Sequence, residues 1–292
     1  MHEKFKVKAG EKICLDNVKS KGSQQFFANE NEAKKILAED VNKMEQLQQK
    51  LYASGKKAIL IIFQGMDTAG KDSCIRHIFS GVNPQGCAVT TFKQPTPLEL
   101  SHDFMWRHYA TLPSKGFISI FNRSYYENVL ITKIHPELLL KENLSEIKTA
   151  TDITNHLWKN RFETINAFEK QLTASGTVIL KFFLHISKQE QKNRLLQRIS
   201  DKDKNWKFEY GDLSERAYWH QYKKAYEDML SNTSTHETHW YAIPADEKWF
   251  SRVAISRIFV KVMEDMDLSF PALTNDKVQL LAKAAIELKD EN

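Results

Sequence analysis

The sequence predicts an α/β protein, a parallel sheet flanked by helices. Three observations predict it. The run Ala58-Ile59-Leu60-Ile61-Ile62-Phe63 is strand-sized and apolar at every position, as a strand buried on both faces must be. Short apolar runs recur at 88–92, 117–121 and 178–184, with a weaker one at 240–243. Helical stretches lie between them, and strands alternating with helices build a parallel sheet.

Each element has a local reason. Residues up to about 28 carry little periodicity and read as a surface arm. Residues 30–54 are rich in helix formers, with Ile36, Leu37, Val41, Met44, Leu47 and Leu51 at helical spacing, and Ser54-Gly55 stops the helix. After the 58–64 strand come a glycine-containing turn and a helix over 72–79. The later helices are expected over 97–110, 124–131, 152–172, 187–199, 213–230 and 248–267. Ser187 and Glu190 form a capping box that opens the fourth of these. The polar stretch 200–212 reads as a long mobile loop. The division is then an arm and helix over 1–54, a sheet domain over 55–267 with a lid at about 192–224, and a tail over 268–292.

Composition excludes several classes. The 292 residues, 41% hydrophobic and 27% charged, are those of a globular chain, and 10 Gly and 7 Pro exclude collagen-like or Pro/Gly-rich disorder. No apolar run approaches the roughly 20 residues of a membrane helix. The basic N-terminus lacks the apolar core of a secretory signal. Cys14, Cys74 and Cys87 form no CxxC pair, so neither a disulfide framework nor a zinc site is indicated, and a cytoplasmic location is expected. The net charge of +5 demands neither nucleic acid nor membrane, but it suits a protein that handles polyanions if the cations are gathered.

Residues 65–71, G-M-D-T-A-G-K, follow the most strand-like run and open a helix. Gly65 and Gly70 allow a tight turn whose N–H groups surround a phosphate, and the helix N-terminus points at the same anion. Lys71 supplies a point charge to the terminal phosphates. The motif usually places Ser or Thr next, to hold magnesium. Here Asp72 follows and Ser73 comes one later. Asp67 puts a carboxylate inside the loop, which makes sense with a metal between it and the phosphates, or as a base toward an acceptor oxygen. Strand 117–121 ends in Asn122, Arg123, Tyr126 and Glu127, which should face this loop across the crevice at the strand carboxyl ends. Arg123 can fork onto phosphate oxygens. Lys93 and Arg107 are either acceptor-phosphate contacts or ordinary surface charges.

Residues 192–224 hold nine basic and five acidic side chains, an excess of +4 that is nearly the whole surplus. Arg194 and Arg198 share a helix face, with Lys204 and Lys207 beyond them. Such a segment can serve as a lid that brings cations to developing charge and excludes water. Trp206 and Phe208 within it need a partner surface, which favours a loop that docks.

The segments GMDTAGKD, QPTPLEL, MWRHYATLPSKGFISIFNRSYYENVL, LHISKQEQKNRLLQRISDKDKNWKF and HWYAIPADEKW resemble, in order, those of the polyphosphate kinase 2 family over about residues 55–260. The resemblance implies a P-loop kinase fold like that of thymidylate kinase, with a helical lid. It implies phosphoryl transfer between inorganic polyphosphate and a purine nucleotide with Mg2+ or Mn2+, in a homo-oligomer (dimer or tetramer). By matching position, Asp67 and Lys71 would be the catalytic carboxylate and lysine, Arg123 a phosphate clamp, and Arg194 and Arg198 lid cations. The NRSYYE form resembles the branch that phosphorylates nucleoside monophosphates and in part diphosphates. Many members have Asp-Arg where this chain has Asn122-Arg123, so one expected carboxylate is missing. An ATP-dependent nucleoside monophosphate kinase and a non-catalytic nucleotide-binding module are the alternative readings.

Overall fold

The computed structural model describes residues 2–22, 26–27 and 29–291. Residues 1, 23–25 and 28 of the expected arm, and 292 of the expected tail, lie outside the described residues. The strands are β1 (Ala58–Gly65), β2 (Cys87–Thr91), β3 (Ile118–Asn122), β4 (Thr177–His185) and β5 (Trp240–Pro244). Among the described residues they form one parallel sheet, ordered β2-β3-β1-β4-β5. The helices are α1 (Glu30–Ser54), α2 (Lys71–Ile78), α3 (Pro97–Leu100), α4 (Trp106–Tyr109), α5 (Glu127–Ile134) and α6 (Glu137–Leu140). They continue with α7 (Asn155–Ala174), α8 (Lys188–Ser200), α9 (Gly211–Ala217), α10 (Trp219–Thr233), α11 (Lys248–Asp265) and α12 (Asn275–Asp290).

The pleat divides the interior by residue parity. Ile59, Ile61 and Phe63 of β1 join a core with α1, α2 and α11. Leu60 and Ile62 face the opposite core, built with α5, α7 and α10. Every β1 position is buried, which is why the run had to be apolar without alternation. Helix α1, with Met44 and Leu51 fully buried, lies in the first core.

Four expectations change. The 97–110 helix is two single turns, α3 and α4: Pro97 and a Thr96/Glu99 capping box start the first, which ends by Ser101. The 213–230 helix breaks at Tyr218 into α9 and α10. The arm packs closely, burying Val7 and Leu15, and Lys6 pairs antiparallel with Tyr241 at the β5 edge. The expected tail contains α12, and every described residue from 269 to 291 is exposed.

Behind the sheet, Lys181 of β4 is fully buried with Glu169 of α7, Nζ to Oε2 2.7 Å. The Tyr125 and Tyr126 hydroxyls both donate to Glu169 Oε1 at 2.7 Å. Lys181 also donates to the Thr233 carbonyl at 2.6 Å, so the buried charges are paired and bonded, as burial demands.

Candidate active site

The site lies at the carboxyl ends of β1 and β3. Gly65 closes β1, and a Cβ there would meet the Leu184 carbonyl at 2.9 Å. Gly70 caps α2 in the left-handed region, φ 106°, where side chains are disfavoured. Between them Thr68 also has positive φ, 62°. Lys71 is buried, not solvent-facing: its Nζ donates to the Gly65 carbonyl at 2.6 Å. Burial, and then the nearby Arg123 charge, hold its pKa below the usual lysine range.

Arg123 follows β3 with φ 63°, and its own N–H donates to the Phe63 carbonyl of β1 at 3.1 Å. That conformation is strained for a side-chain-bearing residue and turns the guanidinium toward the loop. Arg123 Nη2 donates to Asp67 Oδ1 at 3.1 Å. Burial opposes its charge, but Glu127 and Asp67 outweigh that and hold it protonated. Asn122 Nδ2 donates to Asp72 Oδ1 at 2.6 Å, so the neutral residue at the strand end fixes the carboxylate that stands where Ser or Thr is usual.

Beside these groups is a cavity of about 350 Å³. Lys93, Arg107, Arg123 and Glu127 line it, with Phe92 and His108. Arg107 lies over the Phe92 ring at 5.1 Å and donates to the Lys93 carbonyl at 2.8 Å. His108 is buried against Phe92, ring centroids 4.3 Å apart, and neither ring nitrogen finds a hydrogen-bond partner among the described residues. Burial first, and Arg107 second, push its pKa down to about 3.

Several expected site residues are placed elsewhere. Tyr126 does not face the loop: the chain turns at Arg123, so Tyr126 points into the core behind the sheet and bonds Glu169. Ser73 accepts from Arg252 of α11 at 2.7 Å. Arg194 is buried beneath the loop rather than poised over it. It donates to the carbonyls of Thr68, Ala69, Ala245 and Asp246 at 2.6–3.0 Å, and to Glu190 at 2.8 Å. The reason is its place midway along α8, on the face that meets the loop and the residues just after β5. Arg198 pairs with Asp212 at 3.0 Å. Lys204 pairs with Asp201, and Lys207 lies over the Trp206 ring at 5.0 Å. Trp206 does not dock: it is 73% exposed, and the 200–212 stretch turns through Asn205–Lys207 into α9.

Other residues near the site carried no motif. Gln191 Nε2 donates to the Asp67 carbonyl at 3.1 Å, and its i,i+3 spacing with Arg194 is the signal that could have placed both under the loop. Asp212 is raised in pKa by burial and then by the Asp67 charge, so α9 brings a second carboxylate toward the first. No group of three or more His, Cys, Asp or Glu that could hold a metal occurs among the described residues. Asp67 and Asp72 offer oxygen donors alone, which fits a hard cation that takes its remaining ligands from phosphate and water.

The family model for polyphosphate kinase 2 matches residues 28–271. An ADP-polyphosphate phosphotransferase of Rhodopseudomonas palustris is 45% identical over 272 residues, 93% of each chain. An AMP/ADP-polyphosphate phosphotransferase of Meiothermus ruber is 38% identical over 269 residues, 92% of this chain and 95% of that one. The crystal structure of polyphosphate kinase 2 from Arthrobacter aurescens superposes with a TM-score of 0.86 at 34% identity, covering 98% of both chains. With a loop, a strand end and a lid arranged as above, the chain belongs to the polyphosphate kinase 2 family.

Proposed function

We propose that this chain transfers phosphoryl groups between inorganic polyphosphate and AMP or ADP, with magnesium or manganese. The observation that carries the reading is the convergence of Lys71, Asp67 and Arg123 at the strand ends, beside a cavity lined by Lys93, Arg107 and Glu127. The loop N–H groups and Lys71 hold the transferring phosphoryl group. Arg123 forks onto its oxygens. Lys93 and Arg107 grip the acceptor's phosphate, Glu99 pairs with Arg107 at 3.5 Å, and the Glu127 charge favours the charged form of Arg107 and Arg123. A phosphate acceptor is already ionised near neutral pH, so little base catalysis is needed and positioning carries the rate. The cation, held by Asp67 and Asp72, would neutralise charge on the phosphate oxygens. The lid over Arg198 and Asp212 excludes water.

The chain acts in the cytoplasm as a homo-oligomer in this reading. The exposed apolar residues of α12, including Leu280, Ile286 and Leu288, support self-association. The test is incubation with magnesium and AMP or ADP, using polyphosphate or ATP as donor, and identification of the nucleotides formed. Polyphosphate-dependent ADP or ATP is expected. Transfer from ATP alone would identify an ordinary nucleoside monophosphate kinase.

A further inference from the structure

The residues before α1 build a second basic feature. The arm runs out along β5, with the Phe5 carbonyl accepting from Ala242 N and Val7 N donating to the Trp240 carbonyl. It turns at Gly10, φ 75°, and returns along α10, where Ile13 N meets Ser231 and Leu15 N meets Glu227. It ends at the carboxyl end of β5, with the Ser20 hydroxyl on Asp246 at 2.8 Å. A cavity of about 450 Å³ lies against this hairpin, lined by Lys4, Lys6, Lys8, Lys12, Lys19 and Lys21, with Glu11 the acidic residue in its wall. Among the described residues, Lys8, Lys12, Lys19 and Lys21 are exposed and make no ion pair. A second cavity shares Lys19 and Lys21 and reaches Asp246 and Ser187. The carbonyl of Asp246 is held by Arg194, whose other donors hold the Thr68 and Ala69 carbonyls of the phosphate loop. The second cavity's wall is therefore joined to the loop through one buried side chain, Arg194.

We infer that the arm groove binds the extended inorganic polyphosphate chain, as an outlying continuation of the donor site. The inference rests on the function proposed above. Four features favour this ligand. Lys8, Lys12, Lys19 and Lys21 of the groove make no ion pair among the described residues, although Lys6 pairs with Glu3, while Arg194, Arg198 and Lys204 are already partnered. All six are lysines, flexible point charges that match repeating phosphates without requiring a fixed geometry. No arm residue is among the large exposed aromatics, so the groove offers no platform for stacking bases. Finally, Asp246 in the wall of the second cavity is tied through Arg194 to the Thr68 and Ala69 carbonyls, which puts the end of the lysine cluster near the loop.

The experiment compares wild type with the combined variant Lys8→Gln, Lys12→Gln, Lys19→Gln, Lys21→Gln. These side chains are exposed and unpaired, so the fold does not depend on them. A charge-matched control carries Lys35→Gln, Lys277→Gln, Lys283→Gln and Lys289→Gln. Direct binding of labelled long-chain polyphosphate and of tripolyphosphate is measured at several ionic strengths, without turnover. The arm variant should lose about tenfold in affinity for the long chain, from four screened contacts, with a shallower salt dependence. Its affinity for tripolyphosphate should be unchanged, and the control should match wild type for both. Unchanged long-chain binding, or equal loss for both lengths, overturns the inference. So does displacement of the long chain by single-stranded RNA that is itself lost in the arm variant, which would make the groove a nucleic-acid site. Turnover with tripolyphosphate is recorded separately. Its absence in wild type would refute the proposed function, whereas long-chain binding that ignores the arm lysines refutes only the groove.

Discussion

Lys71 is held where its charge is costly. Burial lowers its pKa, and its ammonium is matched by the Gly65 carbonyl rather than by a carboxylate. Lys71→Met should therefore cut phosphoryl transfer by roughly 10²-fold or more, the usual loss for one preorganised electrostatic contact. Thermal stability should hold or rise, because a buried charge has gone. Parallel kinetics and melting measure both, and a variant that unfolds would make the lysine structural. At Asn122, the 2.6 Å bond to Asp72 sets the outcome. Asn122→Asp would place two carboxylates in contact, so melting temperature in EDTA should fall, and magnesium should restore it more than it shifts wild type. His108 gives a pH signature. Its native pKa is about 3 against an ordinary 6.5, so between these values the unfolded chain binds a proton that the native chain refuses. Stability is lost as pH falls from about 6.5 toward 3, by up to about 5 kcal/mol at 1.36 kcal/mol per pH unit. In His108→Phe, which keeps the ring against Phe92, the acid limb of a stability-versus-pH curve should flatten. Identical acid limbs would contradict the burial.

Helix α8 shows how an element can be read correctly while its residues are assigned the wrong task. Half of its expected capping box forms, with the Ser187 hydroxyl accepting from Glu190 N at 3.1 Å while Ser187 N donates to Asp246 and not to Glu190, and its start is one residue from expectation. What spacing alone could not show is where along its length it meets the loop. That point of contact puts Arg194 under the phosphate loop and leaves Arg198 to the lid. Arg194→Lys keeps the charge but cannot span four carbonyls in two directions, so we expect a loss of about 2–4 kcal/mol by denaturant unfolding. Activity should fall with it, since Thr68 and Ala69 would lose their anchor. Arg198→Gln breaks a partly exposed pair with Asp212 and should leave stability within about 1 kcal/mol of wild type.

At the scale of the molecule, α12 stands apart. It has its own N-cap, Thr274 accepting from Lys277 N, yet buries no residue. Removal of residues 269–292 should leave the melting temperature of the remaining chain unchanged. It should shift the mass seen by light scattering toward the monomer if α12 holds copies together. Unaltered mass would remove α12 from the interface, and a large drop in melting temperature would mean that it packs on the body.

The sequence by itself determined the strands, within about a residue at either end, because burial on both faces leaves only continuous apolar runs. It also determined the tight turn between β1 and α2, since Gly70 there takes a left-handed conformation and a Cβ on Gly65 would meet the Leu184 carbonyl. The 97–110 and 213–230 helices were legible as helical but not as broken, because capping and a tertiary turn at Tyr218 override periodicity. Four decisions belonged to the tertiary structure alone. Tyr126 went behind the sheet because the backbone reverses at Arg123. Arg194 went beneath the loop because the middle of α8 meets the loop and the residues just after β5. Asn122 met Asp72 across two strands' worth of fold, 50 residues apart in sequence. The arm's lysines gathered because the arm pairs with β5 and doubles back. In the last three cases the deciding contact joins distant segments, and spacing along a chain carries no record of distance through space.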